Sequence, residues 1–446
     1  MRYLTLLVVL AGSVGAQQDF AQDDPTALLL KVRSKVLQTV DRLPRYLCTE
    51  TVDRATYQPE IDVAGRSCDY LAARRIKPDW KIREHTSDRL RLDVAISGNN
   101  EMYSWVGEDR FQDRSLSDLV SSGATTTGVF SGFLGSIFGT NAANFTYNGD
   151  VNVDGRALVE FGFRVSREKS TYRFGNKLIN AIVPYDGTFL VDPVTFDLVR
   201  LTIHDDQIPD GLNSCESTTT LEYGSLQING FEFLIPKNAG WRVVNADGGE
   251  LISRLVFSTC HEFLGKSKVR FDDASDAESN AAPPAVLGAP SSGVGIPPGL
   301  HFTLALSNPI DTATAAAGDP FNATLTSAIK TKQNKVWVPK GAAITGRVMR
   351  IERVYEPKAE SLVLAIKLET IEAGGVPQRF DAQLASVVKR RQKPLDALVV
   401  RKDLGSFDQM AEAADAATGV LRFQDVTRDF VIKRGLEIEG RTGSVQ

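Results

Sequence analysis

Leu90-Arg91-Leu92-Asp93-Val94-Ala95-Ile96-Ser97 sets Leu90, Leu92, Val94 and Ile96 on one side of an extended chain and Arg91, Asp93, Ala95 and Ser97 on the other. A period of two marks a strand with one face in a core and one toward water. Val159, Phe161, Phe163 and Val165 repeat the device. Gly98-Asn99-Asn100, Tyr185-Asp186-Gly187, Asn229-Gly230 and Asp247-Gly248-Gly249 read as turns between such runs. The expectation is a mainly β (α+β) fold built on a long antiparallel meander. One helix precedes it: Asp24 can cap, Pro25 suits the first helical position, and Leu29, Val32, Val36, Leu37, Val40 and Leu43 recur at helical spacing before Pro44.

One segment breaks the strand rhythm. Val129, Phe130, Phe133, Leu134, Ile137 and Phe138 form a single apolar stripe, with Gly128, Ser131, Gly132, Gly135, Ser136 and Gly139 on the other face. Each glycine costs roughly 0.8 to 1 kcal/mol of helix propensity relative to alanine, so this helix needs packing or a ligand to hold it. It reads either as a plug on the concave face of the sheet or as a lid over an apolar cavity. Its six apolar residues are the candidate ligand-binding side chains.

Around this unit the chain divides. Met1-Arg2-Tyr3, the apolar run Leu4 to Ala11 and the small-residue ending Val14-Gly15-Ala16 predict a signal peptide over 1–16, cut after Ala16. No cysteine follows the cut, and no later run approaches the roughly 18 apolar residues of a membrane-spanning helix. The expected location is therefore periplasmic or extracellular, without a stable transmembrane segment. Residues 17–271 form the first folded unit. Residues 272–298, acidic and then rich in Pro, Ala, Gly and Ser, read as a semi-rigid linker. Residues 299–446 form a second, strand-rich unit: Leu362, Leu364, Ile366 and Leu368 alternate with Ser361, Val363, Ala365 and Lys367, and Gly374-Gly375 turns the chain toward a strand at 380–384. Between Gly341 and Val354 the alternation slips, which predicts a bulge.

The 446-residue chain carries a formal charge of −4, split unevenly. Residues 299–446 hold 21 basic and 17 acidic side chains, net +4, which leaves −8 for the rest. Neither half is basic enough for dedicated nucleic-acid binding. The basic run Lys389-Arg390-Arg391-Gln392-Lys393 reads as a solvated turn. Four cysteines in an exported chain invite pairing, with three possible connectivities. The local one, Cys48 with Cys68 and Cys215 with Cys260, is expected because each pair flanks sequence that reads as neighbouring strands. The cysteine spacing does not suit a zinc site, and no metal is expected.

No residue constellation names a reaction. The four histidines, His85, His204, His261 and His301, supply no zinc-helix pair. Cys260-His261-Glu262 is better read as a half-disulfide followed by strand, and His204-Asp205-Asp206 as a polar strand end. Gly265-Lys266-Ser267 lacks the glycine a phosphate loop needs, and Ser131 lacks the order of a nucleophile elbow. No catalytic residue and no cofactor are expected.

The helix, the interrupted meander and the stretch Tyr185-Asp186-Gly187-Thr188-Phe189-Leu190-Val191-Asp192-Pro193-Val194-Thr195-Phe196-Asp197-Leu198-Val199-Arg200-Leu201 resemble the LolA/LolB lipoprotein-carrier superfamily over residues 25–270. The resemblance implies an antiparallel half-barrel with plug helices. The second unit resembles the β-barrel module of TrbI-type conjugal-transfer proteins through Gly318-Asp319-Pro320-Phe321-Asn322-Ala323-Thr324-Leu325 and Val336-Trp337-Val338-Pro339-Lys340-Gly341-Ala342-Ala343-Ile344-Thr345-Gly346-Arg347-Val348. That likeness implies a small β-barrel.

Two function classes follow. In the first, the half-barrel shelters lipid or lipoprotein acyl chains, each buried methylene being worth about 0.8 kcal/mol. In the second, the protein is a structural adaptor whose two β domains bridge envelope protein partners. A hydrolase with a site assembled from dispersed residues is a third possibility that motifs do not address. A hollow of a few hundred Å³ lined by apolar side chains would favour carriage. A packed interior would favour the adaptor.

Overall fold

The structure, a computed structural model, describes residues 24–42, 44–97, 100–108, 111, 116–120, 125–175, 179–228, 230–262, 296–387, 398–399 and 419–443. The expected signal peptide, most of the expected linker and the basic run at 389–393 lie outside the described residues.

The leading half opens with α1 (Pro25–Arg42): Asp24 Oδ1 accepts the Thr26 N–H at 3.0 Å, and of the expected stripe Val32 and Val36 are buried, together with Leu28; Leu29, Leu37 and Val40 are partly buried, and Leu43 lies outside the described residues. There follow β1 (Tyr46–Pro59), α2 (Cys68–Arg75), β2 (Ile82–Ser97), β3 (Asn100–Trp105), α3 (Leu116–Leu119), α4 (Gly132–Phe138), β4 (Ala143–Val153) and β5 (Arg156–Val165). A small hairpin, β6 (Arg173–Gly175) and β7 (Asn180–Ile182), leads to β8 (Tyr185–Val191), β9 (Leu198–Asp205), β10 (Ser214–Ile228), β11 (Phe231–Asn245) and β12 (Glu250–Glu262). Antiparallel pairing orders them β3-β2-β1-β12-β11-β10-β9-β8-β5-β4. No pairing joins β3 to β4 among the described residues, so the sheet is an open half-barrel. The segment that crosses between these two edges carries α3 and α4.

One expected turn is a strand. Tyr185-Asp186-Gly187 begins β8, between β5 and β9. Glycine stands there for close approach: a Cβ on Gly187 would lie 1.9 Å from the Thr202 carbonyl oxygen and 3.0 Å from the Phe163 ring.

The cysteines pair across the sheet, Cys48 with Cys260 and Cys68 with Cys215, which corrects the local connectivity. The meander brings its last strand back beside its first: Leu47 pairs with His261 and Thr49 with Ser258, leaving Cys260 in the bulge opposite Cys48. Cys68 begins a helix rather than a strand, and Leu71 of that helix packs with Val63, from the segment before it, against Cys215 at the start of β10. Loops of 212 and 147 residues are thereby closed, each worth about 5 kcal/mol in the chain-entropy model.

The trailing half comprises β13 (His301–Leu306), β14 (Ile310–Asp311), β15 (Pro320–Leu325), β16 (Ile329–Lys330), β17 (Val336–Val338), β18 (Ala343–Tyr355), β19 (Glu360–Ala373), β20 (Val376–Arg379), β21 (Ala382–Val387), β22 (Leu398–Val399), β23 (Gly419–Phe423), β24 (Val431–Ile432) and β25 (Glu437–Thr442). Its main ladder runs β22-β23-β19-β18-β15-β13-β25-β21 around a second core that includes Phe302, Phe380 and Phe423. A closed small barrel was the expectation; among the described residues no pairing joins β21 to β22 or β23, so the ladder stays open. At that gap the Leu384 side chain lies against the backbone of Gly419, where an added Cβ would fall 2.6 Å from it. The slipped alternation between 341 and 354 is two register shifts in β18, at Thr345/Gly346 and Val348/Arg350.

The halves share hydrogen bonds. Glu352, Arg353 and Val354 on β18 pair with Asp88, Ser87 and Thr86 on β2. Ala317 donates its N–H to the Arg89 carbonyl at 2.8 Å and accepts the Arg91 N–H at 2.7 Å. The buried Arg347 guanidinium donates to the carbonyls of Val106 at 2.8 Å and Gly318 at 2.7 Å, and its Nε to Glu369 at 2.9 Å.

Candidate functional site

The candidate stripe lies at the centre of the leading half. The helix is shorter than its apolar periodicity predicts: only Gly132–Phe138 is helical, and Val129 and Phe130 occupy a turn ahead of it. Ser131 makes no side-chain cap bond. A carboxylate from β3 holds the turn instead. Glu101 accepts the Gly128 N–H at 2.7 Å and the Phe130 N–H at 3.1 Å, together with the Tyr103 hydroxyl at 2.7 Å.

All six stripe residues are at most 5 % exposed. Phe130 meets Phe257 at 4.6 Å and Tyr46 edge-on at 5.9 Å; Phe133 meets Tyr172 at 5.5 Å; Phe138 meets Phe189 edge-on at 5.1 Å. Such pairs add about 0.5–1.5 kcal/mol each beyond their burial. The far end of the plug is tied to α1, where Arg33 Nη2 donates to the Phe138 carbonyl at 3.0 Å. Tyr185 reaches Ser136 Oγ at 3.2 Å. The void beside Glu50, Val52 and Leu116 measures about 10 Å³, close to the room one water needs. Among the described residues, the stripe and its aromatic neighbours fill the centre of the concavity.

Polar groups line the wall behind the plug. Glu50 is 1 % exposed, and burial, then the charge of Glu101, pushes its carboxyl up to about 8. Burial followed by Glu101 also raises the Tyr46 and Tyr103 phenols, and burial raises that of Tyr223. Tyr46 OH, Glu50 Oε2 and Tyr223 OH are buried without a hydrogen-bond partner among the described residues. Each such group carries a desolvation cost of roughly 1–3 kcal/mol. The sequence reading missed this wall, although the strand phase signals it. Tyr46, Cys48, Glu50 and Val52 share one face of β1, so a glutamate stands where alternation demands an apolar residue.

Cys260 is disulfide-bonded, and His204 on β9 faces Asp186 at 3.4 Å and Glu216 at 3.9 Å.

No protein-family model matches the chain, and no curated protein matches it. Among solved structures, a DUF1329 family protein from Desulfovibrio piger is 13 % identical, covering 55 % of this chain and 96 % of its own at a TM-score of 0.27. A LolA superfamily protein from Nitrosomonas europaea is 10 % identical, covering 55 % of this chain and 96 % of its own, at 0.24. The MucA/MucB complex of Pseudomonas aeruginosa is 11 % identical and covers 90 % of this chain and 98 % of the matched one, at 0.17. Among the described residues no helix is long and apolar enough to cross a membrane.

Proposed function

We propose that this chain is a non-enzymatic, exported envelope protein that binds a lipid or lipoprotein acyl chain in its half-barrel by exchange with the plug. In this reading residues 17–271 are the binding domain, 272–298 the linker and 299–446 the second domain. The observation that carries it is the nature of the filling: a seven-residue, glycine-bearing helix, tethered at one end by Glu101 and at the other by Arg33, occupies the concave face. Withdrawing six apolar side chains into water costs on the order of 9–18 kcal/mol at 1.5–3 kcal/mol each. An acyl chain of about fifteen methylenes, at about 0.8 kcal/mol each, returns on the order of 12 kcal/mol. The two occupants are thus closely matched, so the site takes ligand without standing open beforehand. Two disulfides fit an oxidising compartment.

The test is to purify the mature protein from its own envelope, extract it with organic solvent and identify what is released by mass spectrometry. Stoichiometric acyl-chain compounds are expected, along with tighter uptake of a fluorescent fatty acid by Glu101→Ala, which loosens the plug. Clean extracts combined with no fatty-acid uptake by either protein would overturn the reading. The second reading, an adaptor between envelope proteins, is favoured by the filled interior and by the hydrogen-bonded joint between the halves. It predicts a partner retained on mild extraction.

A further inference from the structure

Where the two halves meet, a cleft of about 490 Å³ opens, walled by β1, β2 and β12 on one side and by β18, β19 and the 312–315 and 428 loops on the other. Five arginines reach it, against three carboxylates. Most of these charges are already committed. Arg54 is paired with Asp88, and Arg89 Nε contacts Asp53 at 2.5 Å. Arg353 is spent on the 428 loop, donating to the carbonyls of Thr427 at 3.0 Å and Arg428 at 2.8 Å and to Thr312 Oγ1 at 2.7 Å. These bonds explain what is left over. Asp53 stands directly across the ladder from Arg254, but Arg89 holds it, and the Arg353 bonds fix the backbone from which Arg428 projects.

Arg254 from the leading half and Arg428 from the trailing half therefore line the cleft, both exposed, their guanidinium groups without a hydrogen bond or ion pair among the described residues. Glu84 is the one lining carboxylate not engaged in this way. The Tyr57 side chain adds a hydroxyl, while Ile252, Ile351 and Leu362 supply apolar floor.

We propose that this cleft is a second ligand site, which takes a phosphate-bearing molecule whose oxyanion is gripped by Arg254 and Arg428 from opposite walls. Guanidinium forks match phosphate oxygens in geometry and charge, and the volume falls within the range of small-molecule sites, roughly 300–1,000 Å³. The ligand bridges the halves, so it engages only when both walls are present. The site is independent of the plug.

Titration calorimetry of the full mature chain with inorganic phosphate, and flotation with phosphatidylcholine vesicles with and without phosphatidylglycerol, test this. Saturable binding of at least one anionic probe is expected, weakened tenfold or more in the Arg254→Gln/Arg428→Gln variant. Both side chains are exposed, so the variant should keep the parent melting temperature, which is measured alongside. Binding of free phosphate assigns the site to a soluble ligand, and binding only of phosphatidylglycerol vesicles assigns it to a lipid headgroup. No binding of either probe, or equal binding by parent and variant, would overturn the proposal.

Discussion

The plug and the joint between the halves are both internal contacts, yet they are made of opposite materials. The plug is a dry contact: six apolar side chains against a wall of aromatics, steered by one carboxylate. The joint is a polar and directional one, in which backbone amides of β2 and the 317 loop are shared and arginines from both sides reach across. Apolar contact scales with area and is indifferent to direction, so a stripe of this kind can be replaced by any greasy chain of similar volume. Hydrogen-bonded contact is lost steeply once geometry fails. The joint is thus suited to hold one arrangement, and the exchange proposed above falls to the plug.

Breaking the leading half while sparing the trailing one gives the largest expected effect. Replacing Cys48 and Cys260 by serine reopens the 212-residue loop, and denaturant unfolding should show a loss of about 5 kcal/mol in the transition of the leading half. The trailing half holds no disulfide, and its transition should not move. Within the plug, Phe138→Ala should cost about 3–5 kcal/mol, because Phe138 is fully buried between Phe145 and Phe189. A cost below about 1 kcal/mol would mean that the plug spends much of its time unseated.

How much of this was legible in sequence depends on whether the signal was local. The strands at 90–97 and 159–165, the helix ending before Pro44 and the slip in β18 are short-range patterns, and each appears where periodicity puts it. The disulfides were not legible, because pairing depends on which strand returns beside β1, a long-range fact that spacing does not carry. Tyr185-Asp186-Gly187 misled for a related reason: the same glycine serves a turn or a crowded strand, and only the neighbours Thr202 and Phe163 decide. The stripe at 129–138 was visible as an apolar face, but Glu101, which holds it, lies 27 residues from Gly128 in sequence. The cleft between the halves draws on residues from 53 to 428 and left no mark that composition could register beyond the unequal charge.

An effect smaller per pH unit than either substitution, though spread over several units, sharpens the contrast between the apolar and the polar contact. Burial raises Glu50 from 4.5 to about 8 and Asp205 from 3.8 to about 7. An acid whose pKa is higher folded than unfolded stays protonated in the native state after it has ionised in the unfolded chain. Its contribution to stability is therefore complete below the unfolded pKa and is lost as pH rises toward the folded one. The slope is on the order of 1.4 kcal/mol per pH unit for each group while the two states differ. The melting temperature should fall between pH 5 and 7, where both groups act, and less steeply from 7 to 8. Glu50→Gln, which keeps the shape without the proton, should flatten the profile. A profile unchanged by this substitution would show that the carboxyl does not sit against the plug wall as described.

The smallest effect belongs to the joint. Arg91 is 29 % exposed and Asp319 20 %, so their ion pair is partly screened by solvent and contributes on the order of 1 kcal/mol or less. Arg91→Ala should barely move the melting temperature, and whatever it loses should shrink as salt is raised. Arg347 is the sharper comparison, because its guanidinium is buried and satisfies two carbonyls, one from each half, as well as Glu369. Removing Arg91 takes away a charge that water can replace; removing Arg347 strands acceptors that water reaches poorly. If the two variants lost equal stability, with equal dependence on salt, the joint would be a loosely apposed surface, and the phosphate cleft would lose the fixed walls it needs.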